Sequence, residues 1–163
     1  MKNLLTIKVF LFLYSTCNSL LTVKLVPLHI RQSWLKTTLP ILTFCISETR
    51  VDPTFAYKSI MQTEVPNDPH LKCFYRCLHT NLNLIEATTG EFIKEEFLRQ
   101  IEGCTDQIFT ECKKQTKDEP DLCKKSFDMY MCLVHALEEP VLIVPAQETD
   151  VPQQVSKAKC ICH

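Results

Sequence analysis

The chain has 163 residues, ten cysteines, two glycines and a formal net charge of −1, a single-domain length without the basic footprint of a nucleic-acid binder. So many cysteines point to an oxidising compartment and a disulfide framework, and the absence of a CxxC pair argues against a zinc knuckle. Phosphate loops, nucleophile elbows and dinucleotide turns all require glycine, and neither Gly90 nor Gly103 stands in such a motif.

Met1–Ser19 reads as a secretory signal: Lys2 comes early, Leu4–Tyr14 is apolar apart from Lys8, and small or polar residues follow from Ser15 to Ser19. The uncharged stretch Val9–Val23 falls short of the ~18 apolar residues of a spanning helix, so stable membrane insertion is not expected. Cleavage after Cys17 or Ser19 removes two lysines, leaving 16 basic against 19 acidic residues, and it leaves nine cysteines. Residues 20–28 form a lead-in ending near Pro27. His29–Ser47 is expected to be helical, with Trp34, Leu35, Leu39, Leu42 and Cys45 on a broken apolar face and a kink or split at Pro40. Asp52-Pro53 starts a second short helix that runs to Gln62 and carries Phe55, Ile60 and Met61; Pro66-Asn67 then turns the chain.

The next helix carries two cysteines. Asp68 can cap it and Pro69 suits its first position. Leu71, Phe74, Tyr75, Leu78 and Leu82 make a one-sided apolar stripe. Cys73 and Cys77 lie one turn apart with side chains running parallel, so a bridge between them is geometrically poor and each is free to reach a different neighbour. Asn81–Gly90 reads as a loop with Leu84 and Ile85 buried. Glu91–Glu102 is expected to form a fourth helix, with Phe92, Ile93, Phe97, Leu98 and Ile101 apolar and Gly103 as its C-terminal cap. Asp106–Gln115 is a fifth, with Ile108 and Phe109 inward. A sixth starts at Asp118–Pro120 and runs to about Leu137, its stripe made by Cys123, Phe127, Tyr130, Met131 and Val134. Cys123 and Cys132 fall on opposite faces of that helix at about 100° per residue, so each ties it to a separate neighbour. Val141–Val144 is a short apolar run between prolines. Residues 146–163 are a polar tail ending in Cys160-Ile-Cys162-His163, a weak metal-binding signal on a chain end; no metal site and no cofactor are expected.

The spacing Cys45-x27-Cys73-x3-Cys77-x34-Cys112-x10-Cys123-x8-Cys132 resembles the insect odorant-binding protein family of PBP/GOBP type, as do Glu48–Pro53, Val65–Cys73 and Asp121-Leu122-Cys123 around it. The resemblance spans residues 29–145. It implies an all-α, six-helix, disulfide-stapled domain around an apolar cavity, with bridges Cys45–Cys77, Cys73–Cys123 and Cys112–Cys132. Spacing alone forbids only the 73–77 and 123–132 pairs among the 15 possible connectivities. Cys104, Cys160 and Cys162 depart from the family pattern; Cys104 is a candidate to bridge to either of the other two. The implied function is that of a secreted carrier, not an enzyme. It would bind a small hydrophobic ligand such as an odorant or pheromone and deliver it through aqueous lymph to an olfactory receptor, as a monomer or weak homodimer. The same fold in another secretion would act as a lipid or hormone carrier or scavenger.

The residues suited to an adaptable apolar pocket are Trp34, Phe55, Met61, Phe74, Leu78, Phe92, Phe97, Phe109, Phe127, Tyr130, Met131 and Val134. With the resemblance, several are expected to line a cavity of roughly 300–1,000 Å³. Tyr57, Tyr75 and Tyr130 are candidate hydrogen-bond partners for a ligand head group. His70, His79 and His135 are candidates for pH-dependent release, and Val141–Val144 stands where family members carry a lid.

Overall fold

A computed structural model describes residues 22–142. The order is β1 (Thr22–Leu25), α1 (Leu28–Thr49), α2 (Pro53–Met61), α3 (Pro69–Asn81), α4 (Lys94–Gln100), α5 (Asp106–Gln115), α6 (Leu122–Leu137) and β2 (Glu139–Leu142). Among the described residues, no helix is long and apolar enough to cross a membrane. The leader, Cys17, the polar tail with Cys160 and Cys162, and Ile143-Val144 lie outside the described residues.

Local chemistry sets most of the helix starts. The Asp52 carboxylate accepts from Thr54 N at 2.7 Å and the Asp68 carboxylate from Leu71 N at 2.8 Å, each with proline at the first position of the helix. Asp121 accepts from Cys123 N at 2.9 Å, which starts α6 at Leu122 rather than at Asp118–Pro120. The Thr105 hydroxyl accepts from Ile108 N at the head of α5.

Two further expectations are corrected. Pro40 does not split α1, which runs unbroken for 22 residues. Proline removes only the bond to the Lys36 carbonyl, and Lys36 and Pro40 both lie on the exposed side, where water meets that carbonyl. The fourth helix begins at Lys94, not Glu91, because Phe92 forms an antiparallel bridge with Ile85. Ile93 N donates to Leu84 O at 2.9 Å and Glu86 N to Glu91 O at 2.8 Å, so residues 91–93 are held extended. The two ends add a feature not anticipated from the sequence. Residues 22–25 of the lead-in pair with Glu139–Leu142 in a two-stranded sheet. The described part of the expected lid is therefore strand, and its Val141 is 42 % exposed.

Three disulfides tie four helices together. Cys45–Cys77 joins α1 to α3, Cys73–Cys123 joins α3 to α6, and Cys112–Cys132 joins α5 to α6, with Cα separations of 5.6, 4.3 and 5.6 Å. Helix α3 is thus anchored to two neighbours from adjacent turns of one face, and α6 from its two opposite faces. Cys104 is buried and has no disulfide partner among the described residues; burial pushes its thiol up to about 11.

The apolar interior divides into two clusters. One, with Trp34, Ile60, Leu71, Phe74, Tyr75 and Tyr130 among its members, gathers α1, α2, α3 and α6. The other, with Leu84, Phe97, Phe109, Met129 and Leu133, fills the space between α4, α5 and α6. Ile101 packs against both.

Candidate functional site

A cavity lies in the seam where the two clusters meet. Helix α1 supplies Trp34 and Thr38, and α2 supplies Ile60. Tyr75, Leu78 and His79 come from α3, with Leu82 and Leu84 from the chain just beyond it. Phe97 and the capping Ile101 come from α4, and Tyr130 and Leu133 from α6. The seam exists because side chains of each cluster interlock with their own neighbours, leaving a void of about 40 Å³ between them. That is well below the roughly 300–1,000 Å³ expected for a pocket enclosing a ligand of some size. Deeply packed aromatics account for the difference.

Four of the twelve expected pocket residues stand on this wall: Trp34, Leu78, Phe97 and Tyr130. Five others are buried one layer behind it. Phe74 and Phe127 meet Tyr75 edge-on at 5.5 and 6.1 Å; Phe92 and Phe109 back Phe97 at 5.6 and 5.3 Å; Val134 is 1 % exposed in the first cluster. Met131 is half-buried against that cluster and Met61 half-buried at the end of α2. Phe55 faces outward, 36 % exposed, because the helical period of α2 turns Ala56, Ser59 and Ile60 inward. Thr38, Ile60, Leu84, Ile101 and Leu133, together with Leu82, line the cavity without having been singled out for it. Leu84 and Ile101 carried only a burial signal, which does not tell a wall from a core.

The polar groups on the wall are almost all satisfied by the protein. The Tyr75 hydroxyl donates to Ser59 Oγ at 2.8 Å, Ser59 Oγ donates to Ala56 O at 2.9 Å, and the Tyr130 hydroxyl donates to the Ser59 carbonyl. The two rings stack at 4.0 Å with 17° between planes. Burial raises the pKa of both phenols, with the Tyr130 hydroxyl adding to the effect at Tyr75, so they remain protonated donors. Trp34 Nε1 donates to Glu102 O at 2.9 Å, and Thr38 Oγ1 donates to Trp34 O at 3.0 Å. Tyr57, the third tyrosine considered for a head group, is 48 % exposed and away from the cavity.

His79 is the exception. It is 5 % exposed and wedged among Tyr75, Phe92 and Phe97, with ring centroids at 6.3, 6.2 and 5.6 Å. Its Nδ1 has no hydrogen-bond partner; the other such buried side-chain atom among the described residues, Ser126 Oγ, belongs to a residue outside the cavity lining. Desolvation lowers the imidazole pKa to about 3, so His79 is neutral across the physiological range. A neutral imidazole can donate from one nitrogen and accept at the other. The remaining histidine candidates stand elsewhere: His70 is exposed with Nδ1 2.8 Å from Thr49 O, and the exposed His135 lies 3.5 Å from Glu138.

A family model described as "PBP/GOBP family" matches residues 31–136. No curated protein and no solved structure matches the chain.

Proposed function

The chain belongs to the PBP/GOBP family, the insect odorant-binding proteins, whose members carry small hydrophobic ligands, and from that premise we propose that it is a secreted carrier delivering odorants or pheromones to olfactory receptors. The observation that carries the reading furthest is His79: one unpartnered polar group on an otherwise apolar, internally satisfied wall. Leaving a buried polar atom unpaired costs about 1–3 kcal/mol, a cost that a ligand hydroxyl or carbonyl would recover. The favoured guest is therefore a small apolar molecule with a single neutral head group. A charged head group would pay a desolvation penalty that a neutral imidazole cannot offset.

The size of the void adds a condition. A guest burying ~300 Å² of apolar surface gains about 7.5 kcal/mol gross at ~25 cal/mol/Å². It must also part walls now separated by only about 40 Å³, and after association costs a Kd of roughly micromolar order follows.

Trp34 is the chain's one tryptophan and stands on the wall, so its emission reports occupancy. Titration with alcohol, ketone and alkane of equal carbon number is expected to favour the two polar-headed compounds about tenfold in wild type, a margin of ~1.4 kcal/mol from one recovered hydrogen bond. In His79→Leu the preference disappears while alkane binding persists. Equal affinities in wild type remove His79 as the anchor; no saturable response with any of the three removes the carrier reading.

A further inference from the structure

We propose a second binding site beside the Phe92 ring, sharing no lining residue with the cavity that holds His79: a cleft for a compact multivalent oxyanion. The cleft has a volume of about 290 Å³, and its walls include Glu91, Phe92, Lys113, Lys114, Lys117 and Lys125. Four lysines against one carboxylate leave three positive charges uncompensated at one spot, on a chain whose formal net charge is −1.

Two of these lysines have an ordinary explanation. Lys113 and Lys114 occupy the last turn of α5, where the helix dipole favours cations, and Lys113 pairs with Glu91 at 3.0 Å. Lys125 has none. It sits in the first turn of α6, the positive end of that helix, where a cation is disfavoured. The residue is 7 % exposed, and among the described residues no carboxylate lies within ion-pair distance of its ammonium. Its ammonium lies over the Phe92 ring, 5.7 Å from Nζ to centroid. The stem is buried while the residue lines the open cleft, so whatever fills the cleft, water or an anion, is what faces this charge.

Glu91 registers the same field. Hydrogen bonding and charge from Lys113 hold its carboxyl below the usual range, and Lys125 and Lys117 add to the effect. One carboxylate thus occupies, in part, the place an external anion would take. Lysine ammoniums act as point charges without the bidentate fork of arginine, so the cleft selects for charge density rather than for one oxyanion geometry. Pyrophosphate and citrate, one a phosphate and one a polycarboxylate, are the probes that separate the two sources of such charge.

Isothermal titration of the oxidised full chain at low ionic strength, with each probe in turn, tests the site. Saturable binding of either is expected. Lys125→Gln should weaken it tenfold or more, and Glu91→Gln should strengthen it severalfold by removing the internal competitor. Lys124→Gln should leave it unchanged, because that ammonium already pairs with Glu119 at 2.7 Å and with Asp128. The double variant Lys114→Gln/Lys117→Gln, at two exposed positions, should weaken binding and flatten its salt dependence, and it decides the matter if Lys125→Gln fails to fold. The site is overturned if neither probe binds saturably, or if Lys124→Gln weakens binding as much as Lys125→Gln. Trp34 emission is not involved, so failure here leaves the carrier reading standing.

Discussion

His79 shows how burial fixes a residue's chemistry. An imidazole in water titrates near pH 6.5, but here desolvation lowers its pKa to about 3. It is thus unsuited to be the trigger for ligand release in mildly acid conditions, and its effect appears in stability instead. Between about pH 6.5 and pH 3 the unfolded chain binds a proton at this site that the folded chain refuses. Stability therefore rises with pH through that window and is lost as pH falls, by up to ~1.4 kcal/mol per pH unit. Comparing urea midpoints at pH 6.5 and pH 5 should show a drop in wild type that is smaller in His79→Leu; equal drops would mean that His79 is not desolvated. Glu91, Glu96 and Glu119 have pKa values lowered by neighbouring cations, so their contribution falls near and below pH 4.5, outside the comparison. Residue type and helical phase revealed Trp34, Leu78, Phe97 and Tyr130 as cavity candidates. They did not separate these from Phe74, Phe109 or Phe127, because a side chain against a void and one against another ring carry the same hydrophobic signal. Phe55 was misplaced for a different reason: α2 has nine residues, too few for a clear stripe.

Helix starts marked by an Asp-Pro pair were legible, whereas the Asp121 cap of α6 was masked by the similar signal of Asp118–Pro120, and elements set by contacts outside their own turn were not legible. The caps at Asp52 and Asp68 lie within three residues of what they stabilise. The start of α4 depends on Phe92 finding Ile85, and the strand pair depends on residues more than a hundred positions apart. The approach of that extended segment to α6 turns on Gly90. Its φ is +70°, and a Cβ there would run into Leu122 Cδ2. Gly90→Ala should cost about 1–3 kcal/mol from left-handed strain together with the displaced leucine, read as a lowered denaturation midpoint. A change below ~0.5 kcal/mol, the scale of an ordinary surface substitution, would mean that the loop relaxes freely. The staples on α3 can be weighed in the same assay. Cys45 and Cys77 close a loop of sequence separation 32, so Cys45→Ala/Cys77→Ala should destabilise by about 2–4 kcal/mol. A loss well under 1 kcal/mol would show that packing alone holds α1 on α3.

At the scale of the molecule, the disulfides divide the cavity wall into fixed and movable parts. Helices α1, α3, α5 and α6 are joined into one covalent frame by three bridges, while α2 and α4 carry no disulfide. The frame was foreseeable because cysteine spacing is a covalent constraint written into the chain, although the family resemblance was needed to choose its pairing. The volume of the void was not foreseeable, since it is a small difference between two well-packed clusters. A guest larger than about 40 Å³ must displace something, and the covalent frame resists. The seven-residue α4 is the weakest part of the enclosure. It places Phe97 and Ile101 on the wall, and its polar ties to the rest include Gln100 Nε2 to Leu82 O at 2.8 Å and Thr37 Oγ1 to Gln100 O at 3.4 Å. Ligand entry is therefore expected to proceed by displacement of α4, with the frame unmoved. Native-state hydrogen exchange checks this directly. Without ligand, amides of residues 97–101 should exchange faster than those of residues 73–78 and 127–134. A saturating medium-chain alcohol should slow the first group by at least threefold and leave the other two unchanged. If ligand instead slows exchange across α3 and α6 with no change at α4, the cross-linked frame itself must open, and the division of the wall proposed here is wrong.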